Sequence, residues 1–202
     1  MQWPNDKKFA FTIVDDTDEA TVSNVKPVYD FLREAGLITT KTVWVFPSRD
    51  EFGGESLSDR AYADFILELA SHGTEIGFHG AGSGYFRRGE TLEALERFKE
   101  LTGTYPQLYV NHAFNSSNLY WGEKRFTVLI GWIYRMIKTV MSMRDVPSEG
   151  EVEGSPCFWG DIAKQEIKYI RNRVYTSINT LKDDPYMPYI DKTKEKYSNY
   201  WF

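Results

Sequence analysis

The stretch FTIVDDTDEAT, residues 11–21, places three carboxylates within four positions at the end of an apolar run. The leading FTIV is typical of a buried β-strand, and Asp15, Asp16 and Asp18 follow it. Carboxylates this close repel one another and raise one another's pKa, so they need solvent or a shared cation. The stretch therefore predicts a buried strand that ends in a cluster of negative charges.

Strand-like segments of the same kind recur along the first half of the chain. KFAFTIV, KTVWVFP, TEIGFH and QLYVNH begin at residues 8, 41, 74 and 107, and helical patterns over 24–35, 58–71 and 91–101 lie between them. This spacing of about 33 residues is the length of one strand–helix unit. Strands that alternate with helices predict a parallel sheet, so we expect an α/β fold.

The C-terminal part has a less regular pattern. A long helix is predicted over 123–143, a short strand over CFWGD at 157–161, and a helix over IAKQEIKYIRNRVY at 162–175. The remaining tail is rich in turn-forming residues and is predicted to be irregular.

The strongest membrane candidate is VLIGWIYRMIKTVM, residues 128–141. It is shorter than the roughly 20 residues that span a bilayer, and it contains Arg135 and Lys138. We therefore expect no transmembrane segment, and an amphipathic helix that packs on the domain. Peripheral contact with a membrane surface is the alternative for this helix.

Length and composition place the chain among ordinary globular domains. Its 202 residues are 42% hydrophobic and 26% charged, which predicts one domain over residues 1–202. The net charge of −5 argues against nucleic acid as a partner. Cys157 is the single cysteine, which excludes a disulfide framework and a thiolate zinc site. The N-terminus has no apolar signal core, so we expect a cytoplasmic protein.

The ends of the predicted strands carry the residue types of a metal site. Asp15 and Asp16 follow the first strand, His79 ends the third, and Asn111 and His112 end the fourth. The carboxyl ends of parallel strands lie on one face of a sheet, where sites are built. Carboxylate and imidazole ligands suit zinc or a related divalent ion. We therefore expect a divalent metal, with zinc as the first choice.

The sequence also separates structural residues from residues that could contact a ligand. Asp18 is interpreted as a turn or cap residue, and His72 as a surface residue that offsets the dipole at a helix C-terminus. Contacts with a saccharide are predicted for Tyr85, Trp121 and Asn111, because flat aromatic rings stack on sugars and amides bond to hydroxyls.

The segments FTIVDD at 11–16, GTEIGFH at 73–79 and TGTYPQLYVNHAF at 102–114 resemble the pattern of the polysaccharide deacetylases, the NodB-homology or carbohydrate esterase family 4 proteins. The resemblance covers residues 8–122. It implies a distorted (β/α) barrel of the glycoside hydrolase/deacetylase type. It also implies a metal-dependent hydrolase that removes acetyl groups from an N-acetylated sugar or polysaccharide.

The resemblance assigns roles to individual residues. Asp15 matches the catalytic base, Asp16 the metal-binding carboxylate, and His79 the first metal histidine. The family's second metal histidine lies four residues further on, where this chain has Ser83. We expect His112, from the next strand end, to supply the missing imidazole and to complete a three-ligand site.

The chain is short for a complete barrel of this type. Eight units of about 33 residues require about 260 residues, whereas the chain has 202. The family carries a further catalytic histidine on a late strand, and no histidine follows His112 here. We therefore expect an incomplete barrel that is short at the C-terminus.

Two other functions fit parts of the sequence. Asp16 and Asp18 form a D-x-D pair after a buried strand, as in haloacid-dehalogenase-like phosphatases that use magnesium. The replacement of the second family histidine by Ser83 also fits a degenerate, non-catalytic barrel that binds a saccharide or a protein partner. The intact Asp15–Asp16 pair and His79 favour the deacetylase over both.

Overall fold

The computed structural model describes residues 4–8, 11–126, 128–141, 146–171, 196–197 and 200–201. In this part the chain is an α/β protein, as the sequence predicts. Its strands are β1 (Val14–Asp15), β2 (Thr40–Val43), β3 (Glu75–Phe78), β4 (Leu108–Val110), β5 (Tyr169–Arg171) and β6 (Tyr200–Trp201). Its α-helices are α1 (Val22–Glu34), α2 (Arg60–Ser71), α3 (Arg88–Thr102), α4 (Val128–Val140) and α5 (Gly160–Glu166), and short 3-10 turns cover Pro4–Asp6 and Gly122–Arg125.

The strands form one sheet in their order along the chain, and each neighbouring pair is parallel. Doubly wound sheets reverse their strand order at a switch point, whereas barrels add each strand beside the previous one. The helices α1, α2 and α3 connect the first four strands. The topology is therefore compatible with part of a (β/α) barrel.

An ion pair between the first and fifth strands requires the sheet to be curved. Three strands separate β1 from β5, which would put them roughly 19 Å apart in a flat sheet. The guanidinium of Arg171 nevertheless lies 2.5 Å from Oδ2 of Asp16, directly after β1. Two side chains cannot bridge the flat-sheet distance, so the strands curl toward each other as they do in half of a barrel.

The helices α2 and α3 contribute to the core through apolar residues that recur at three- and four-residue spacing. Their buried apolar side chains are Tyr62, Ala63, Phe65, Ile66, Leu69, Ala94, Leu95 and Phe98. Val43 and Phe78 of the sheet and Trp159 belong to the same cluster. Since every residue of β2 and β4 is buried, this packing fixes the strand ends on which the polar loops stand.

The first predicted strand is shorter than its apolar pattern indicates. The prediction covered 8–14, but β1 is Val14–Asp15 and Phe11 is 74% exposed. The carbonyl of Ile13 accepts a hydrogen bond from the amide of Thr40, where β2 begins. The first strand therefore begins only where β2 lies alongside it to form hydrogen bonds. Residues 9–10 lie outside the described part of the chain.

The predicted strand at 157–161 is wrong, and the predicted helix at 162–175 is confirmed over 162–166 but wrong over 167–171. The helix α5 already begins at Gly160, and the chain turns extended at Ile167, with φ −95° and ψ 129°. It then forms β5, which pairs with β4 and buries Ile170. Pairing with a sheet edge satisfies backbone groups and buries an apolar side chain, and this outweighs the helical spacing. Residues 172–175 lie outside the described part.

The long helix predicted over 123–143 is interrupted. Gly122–Arg125 is a 3-10 turn, Phe126 is extended, and α4 begins at Val128. Residues 127 and 142–143 lie outside the described part of the chain. The apolar side chains of α4 face solvent, contrary to the expected packing on the domain. Among the helices of the described residues, none combines the length and the apolar character that crossing a bilayer requires.

Candidate metal centre

The loops that leave the carboxyl ends of β1, β3 and β4 converge at one place. Asp18 lies in the turn after β1, His79 directly follows β3, and His112 lies shortly after β4. Gly80 adopts φ 93°, a conformation that favours glycine, so the chain turns directly behind His79. Three different βα units therefore contribute side chains to one site, as the predicted parallel sheet requires.

The three side chains present their ligand atoms to one another. Oδ1 of Asp18 lies 2.6 Å from Nε2 of His112 and 3.8 Å from Nε2 of His79. One ligand atom from each residue lies within 4.8 Å of the other two. Both histidines are buried, whereas 38% of the Asp18 side chain is exposed. The cluster is thus enclosed by the protein on the histidine side and reachable from solvent on the carboxylate side.

The hydrogen bonds of Thr42 determine which nitrogen of His79 carries a proton. The hydroxyl of Thr42 donates its single proton to the carbonyl of Asp15, at 3.1 Å. The same oxygen lies 3.1 Å from Nδ1 of His79 and can only accept there, so Nδ1 carries the proton. Nε2 of His79 then offers a lone pair, and this buried atom has no hydrogen-bond partner. A lone pair aimed at a carboxylate is the arrangement that a cation would complete.

His112 is oriented by a hydroxyl and two aromatic rings. Its Nδ1 lies 3.4 Å from Oγ of Ser83, the residue that stands where the deacetylase pattern has its second histidine. The rings of Trp44 and Phe52 pack edge-on against the imidazole at 5.4 and 4.7 Å. Asn118 holds the backbone of His112 through both its N–H and its carbonyl. Ser83 therefore supports the imidazole of His112 from behind.

Burial sets the protonation states of the cluster. The pKa of His79 falls well below its ordinary value, chiefly because the ring is desolvated. Burial also lowers the pKa of His112 to about 4, although the charges of Asp50 and Asp16 oppose this shift. The pKa of Asp18 rises to about 6 through burial and through the charge of Asp16. Near pH 7 both imidazoles are neutral and Asp18 is mostly ionised, which are the states that metal binding requires.

Asp15, the predicted catalytic base, is held in an ion pair. Its Oδ2 lies 2.9 Å from Nζ of Lys41 and accepts a hydrogen bond from the hydroxyl of Tyr29, also at 2.9 Å. Lys41 is fully buried in β2 and donates a second hydrogen bond to the carbonyl of Asp16. A buried ammonium needs such partners. Asp15 therefore balances the charge of Lys41, and its role as a base stays a prediction.

Asp16, the predicted metal carboxylate, is not part of the three-residue cluster. Its Oδ2 accepts a hydrogen bond from Arg171, while its Oδ1 is buried and has no hydrogen-bond partner. The carboxylate that lies beside the two histidines is that of Asp18. Metal binding by Asp16 stays a prediction. Asp18 lies beside the two histidines, at the position that the sequence had assigned to Asp16.

The residues predicted to contact a saccharide have different surroundings. Asn111 is buried, and its amide bonds to both backbone groups of Leu119, at 3.0 and 2.8 Å. Tyr85 is 48% exposed in the loop before α3. Trp121 precedes the second 3-10 turn, and its backbone N–H donates to Oγ of Ser148. Asn111 thus shapes the loop after β4, and contact of these three residues with a sugar stays a prediction.

Sequence reasoning interpreted Asp18 as a turn or cap residue of the acidic cluster, and it missed Lys41 and Arg171 as members of this polar region. The D-x-D spacing of Asp16 and Asp18 was the available signal for Asp18. Lys41 stands at the start of the apolar run KTVWVFP, where a buried lysine implies a nearby carboxylate. Arg171 gave no signal, because its segment had the spacing of a helix.

The donor set limits the ions that fit. One carboxylate and two imidazoles with a solvent-facing side match the three-ligand, open sites in which zinc acts as a catalyst. Magnesium and calcium prefer oxygen ligands, so two imidazoles disfavour them. Asp18, His79 and His112 could therefore hold a divalent transition-metal ion, without singling out zinc.

Comparison with known proteins gives no relative from which the role of this site could be inferred. No protein-family model matches the chain, and neither a curated protein nor a solved structure does.

Proposed function

We propose that the chain is a metal-dependent hydrolase whose divalent ion is bound by Asp18, His79 and His112. The observation behind this proposal is the convergence of three ligand atoms within 4.8 Å at the carboxyl ends of parallel strands. Structural zinc sites are closed by four protein ligands, whereas three ligands and a solvent-facing side are typical of hydrolytic sites. The exposed fraction of Asp18 supplies that solvent-facing side.

Buried polar atoms without partners support a ligand at this place. In the described part of the chain, five buried side-chain nitrogen or oxygen atoms have no hydrogen-bond partner. Four of the five belong to residues at or after the carboxyl ends of β1, β2 and β3, namely Asp16, Trp44, Asp50 and His79. Such atoms cost free energy unless an ion, water or ligand completes them. Their concentration at one end of the sheet is expected where a metal and a substrate bind.

Asp16 is proposed as the carboxylate that moves protons in this site. A divalent ion held by Asp18, His79 and His112 would supply an acidified water and a polarised carbonyl. Oδ1 of Asp16 is buried without a hydrogen-bond partner, so it would be available to accept a proton, while Arg171 holds Oδ2 in place. Asp15 is the alternative base, since its Oδ2 is engaged by Lys41 and Tyr29 much as Oδ2 of Asp16 is engaged by Arg171.

The proposed substrate is an N-acetylated sugar or polysaccharide, on the strength of the resemblance in FTIVDD and GTEIGFH. Water adds to the amide carbonyl, the carbon–nitrogen bond breaks, and the products are acetate and a free amine. The proton taken up by Asp16 returns to the leaving nitrogen. A cytoplasmic location belongs to the same proposal.

The phosphatase alternative fits this geometry less well. It requires Asp16 and Asp18 to share a magnesium ion, which prefers oxygen ligands. Asp18 instead lies beside two imidazole nitrogens, and Asp16 bonds to Arg171. The donor set therefore favours a transition-metal hydrolase.

Metal analysis combined with an acetate assay tests this function. The chain is incubated with zinc, freed of excess metal, analysed by elemental analysis, and given N-acetylglucosamine oligomers. We expect about one ion per chain and release of acetate, both lost in His79→Ala. Bound metal without acetate would overturn the deacetylase assignment and favour the non-catalytic barrel, and absence of metal would overturn the metal site as well.

A further inference from the structure

The outer surface of α4 carries an exposed apolar area that the proposed hydrolase does not use. Nine apolar side chains form this area, the α4 patch, and they are Val128, Leu129, Ile130, Trp132, Ile133, Met136, Ile137, Val140 and Met141. Their exposed fractions range from 43% to 93%. Together they present on the order of 1,000 Å², whereas the largest apolar patch of a typical monomer is about 300–600 Å².

The helix presents its other side to the domain. Gly131 is buried, and a Cβ at this position would lie 3.1 Å from the carbonyl oxygen of Glu123. Arg135, one turn further on, donates from Nε to Oε2 of Glu123 at 2.6 Å. Because residues four apart share a helix face, this side of α4 rests on the 3-10 turn. The apolar side is therefore left facing outward.

The spacing within the α4 patch is that of a seam between paired helices. Leu129, Ile133, Met136 and Val140 follow one another at intervals of four, three and four residues. In heptad terms the β-branched residues Ile133 and Val140 take the a positions, and Leu129 and Met136 take the d positions. This distribution favours pairs of helices over larger bundles. The flanking e and g positions carry no charge, and they are Ile130, Trp132, Ile137 and Thr139. An identical helix therefore meets no repulsion along this seam.

We propose that a second copy of this chain covers the α4 patch, so that two α4 helices pair in a symmetric dimer. A two-fold axis brings the same patch of both chains together, which suits a seam that is complementary to itself. The exposed apolar area matches the requirement, since each partner of a stable interface contributes roughly 800 Å².

A lipid surface is a poorer occupant of the α4 patch. Helices that lie on membranes direct lysines and arginines toward anionic headgroups. Arg135 is instead tied to Glu123 on the domain side, and the ammonium of Lys138 lies over the ring of Tyr134. Lys124 nearby is paired with Glu151. The net charge of −5 further opposes binding to an anionic surface.

Light scattering coupled to size-exclusion chromatography tests the dimer on the full chain. We expect twice the chain mass of 23.5 kDa for the unmodified protein. Ile133→Glu and Met136→Glu place a charge in the seam of both helices, so the dimer dissociation constant should rise by at least about 100-fold. Both side chains are exposed in the single chain, at 43% and 47%, so the fold itself should survive.

Phe31→Glu is the matched control, because Phe31 is 65% exposed on α1 and lies outside the α4 patch. It should leave the dimer intact, and circular dichroism should report the same helix content for all variants. A chain that remains monomeric at every concentration would overturn the proposal, as would a dimer that survives both glutamate variants. A monomer that sediments with phosphatidylglycerol vesicles would overturn it in favour of a membrane contact.

Discussion

Arg171 at the end of β5 holds the carboxylate of Asp16, which lies 155 positions earlier in the chain. Each acidic side chain of the opening stretch has a different partner. Asp15 pairs with Lys41, Asp16 with Arg171, and Asp18 with the two imidazoles. Three neighbouring carboxylates are therefore tolerated because cationic groups and imidazoles from other strands bind each of them separately.

Replacement of single histidines should separate the metal ligands from the surface histidine. His79→Ala and His112→Ala each remove a ligand atom, so zinc binding should weaken by on the order of 100-fold or more. His72→Ala is the matched control, since His72 is the exposed C-cap residue of α2. Isothermal titration with zinc measures the difference. Equal binding by all three variants would exclude His79 and His112 as ligands.

The roles of Asp18 and Asp16 can be distinguished by isosteric amides. Asp18→Asn should weaken zinc binding as strongly as the histidine variants, because an amide is a much poorer ligand than a carboxylate. Asp16→Asn should keep the metal and lose acetate release, because Oδ1 can no longer accept a proton. Zinc titration and an acetate assay on both variants decide the matter. Loss of metal in Asp16→Asn alone would restore Asp16 as the ligand, as its sequence position predicts.

Zinc affinity should depend on pH through Asp18. Burial raises the pKa of Asp18 to about 6, so protons compete with the ion below that value. The affinity should fall by up to about tenfold per pH unit below pH 6 and level off above pH 7. His112, whose burial lowers its pKa to about 4, stays neutral over this range and adds no competition. Zinc titrations between pH 5 and 8 measure the curve, and a flat profile would contradict it.

Asp15→Asn should destabilise the fold more than Lys41→Met. The asparagine leaves the fully buried ammonium of Lys41 without its counter-charge, which we expect to cost about 2 kcal/mol. The methionine removes the buried charge itself and leaves Asp15, 39% exposed, to solvent and Tyr29. Urea unfolding of the three proteins gives the comparison. An Asp15→Asn variant of unchanged stability and no acetate release would identify Asp15 as the base.

The strand–helix alternation of the first half made the parallel order of β1 to β4 predictable. Apolar runs of strand length and helical spacing in 58–71 and 91–101 are local signals, and the buried faces of α2 and α3 follow them. Because parallel strands end at the same edge of a sheet, the proximity of His79 and His112 could be predicted from the strand order alone. These parts depend only on periodicity and connection length.

The other parts of the site depend on contacts between distant segments. The spacing of 162–175 predicted a helix that continues past Glu166, because the sequence does not reveal that β4 offers an edge for β5 to pair with. Arg171 was missed for the same reason. The position of Asp18 beside the two imidazoles follows from the path of the chain after β1, which Lys41 and Arg171 fix by binding Asp15 and Asp16. The spacing of residues along the sequence does not predict that path, because it depends on ion pairs between distant segments.

The hydrogen bonds of Thr42 connect strand register to metal affinity. A free imidazole exchanges between two tautomers, and only one of them offers Nε2 to an ion. A chain of two hydrogen bonds crosses three strands: Nδ1 of His79 donates to the hydroxyl of Thr42, which donates to the carbonyl of Asp15. The ring is therefore preorganised before an ion arrives, and a slip of one residue between β1 and β2 would reverse that advantage. The pairing of β1 with β2 therefore contributes to the position and tautomer of the proposed ligand His79.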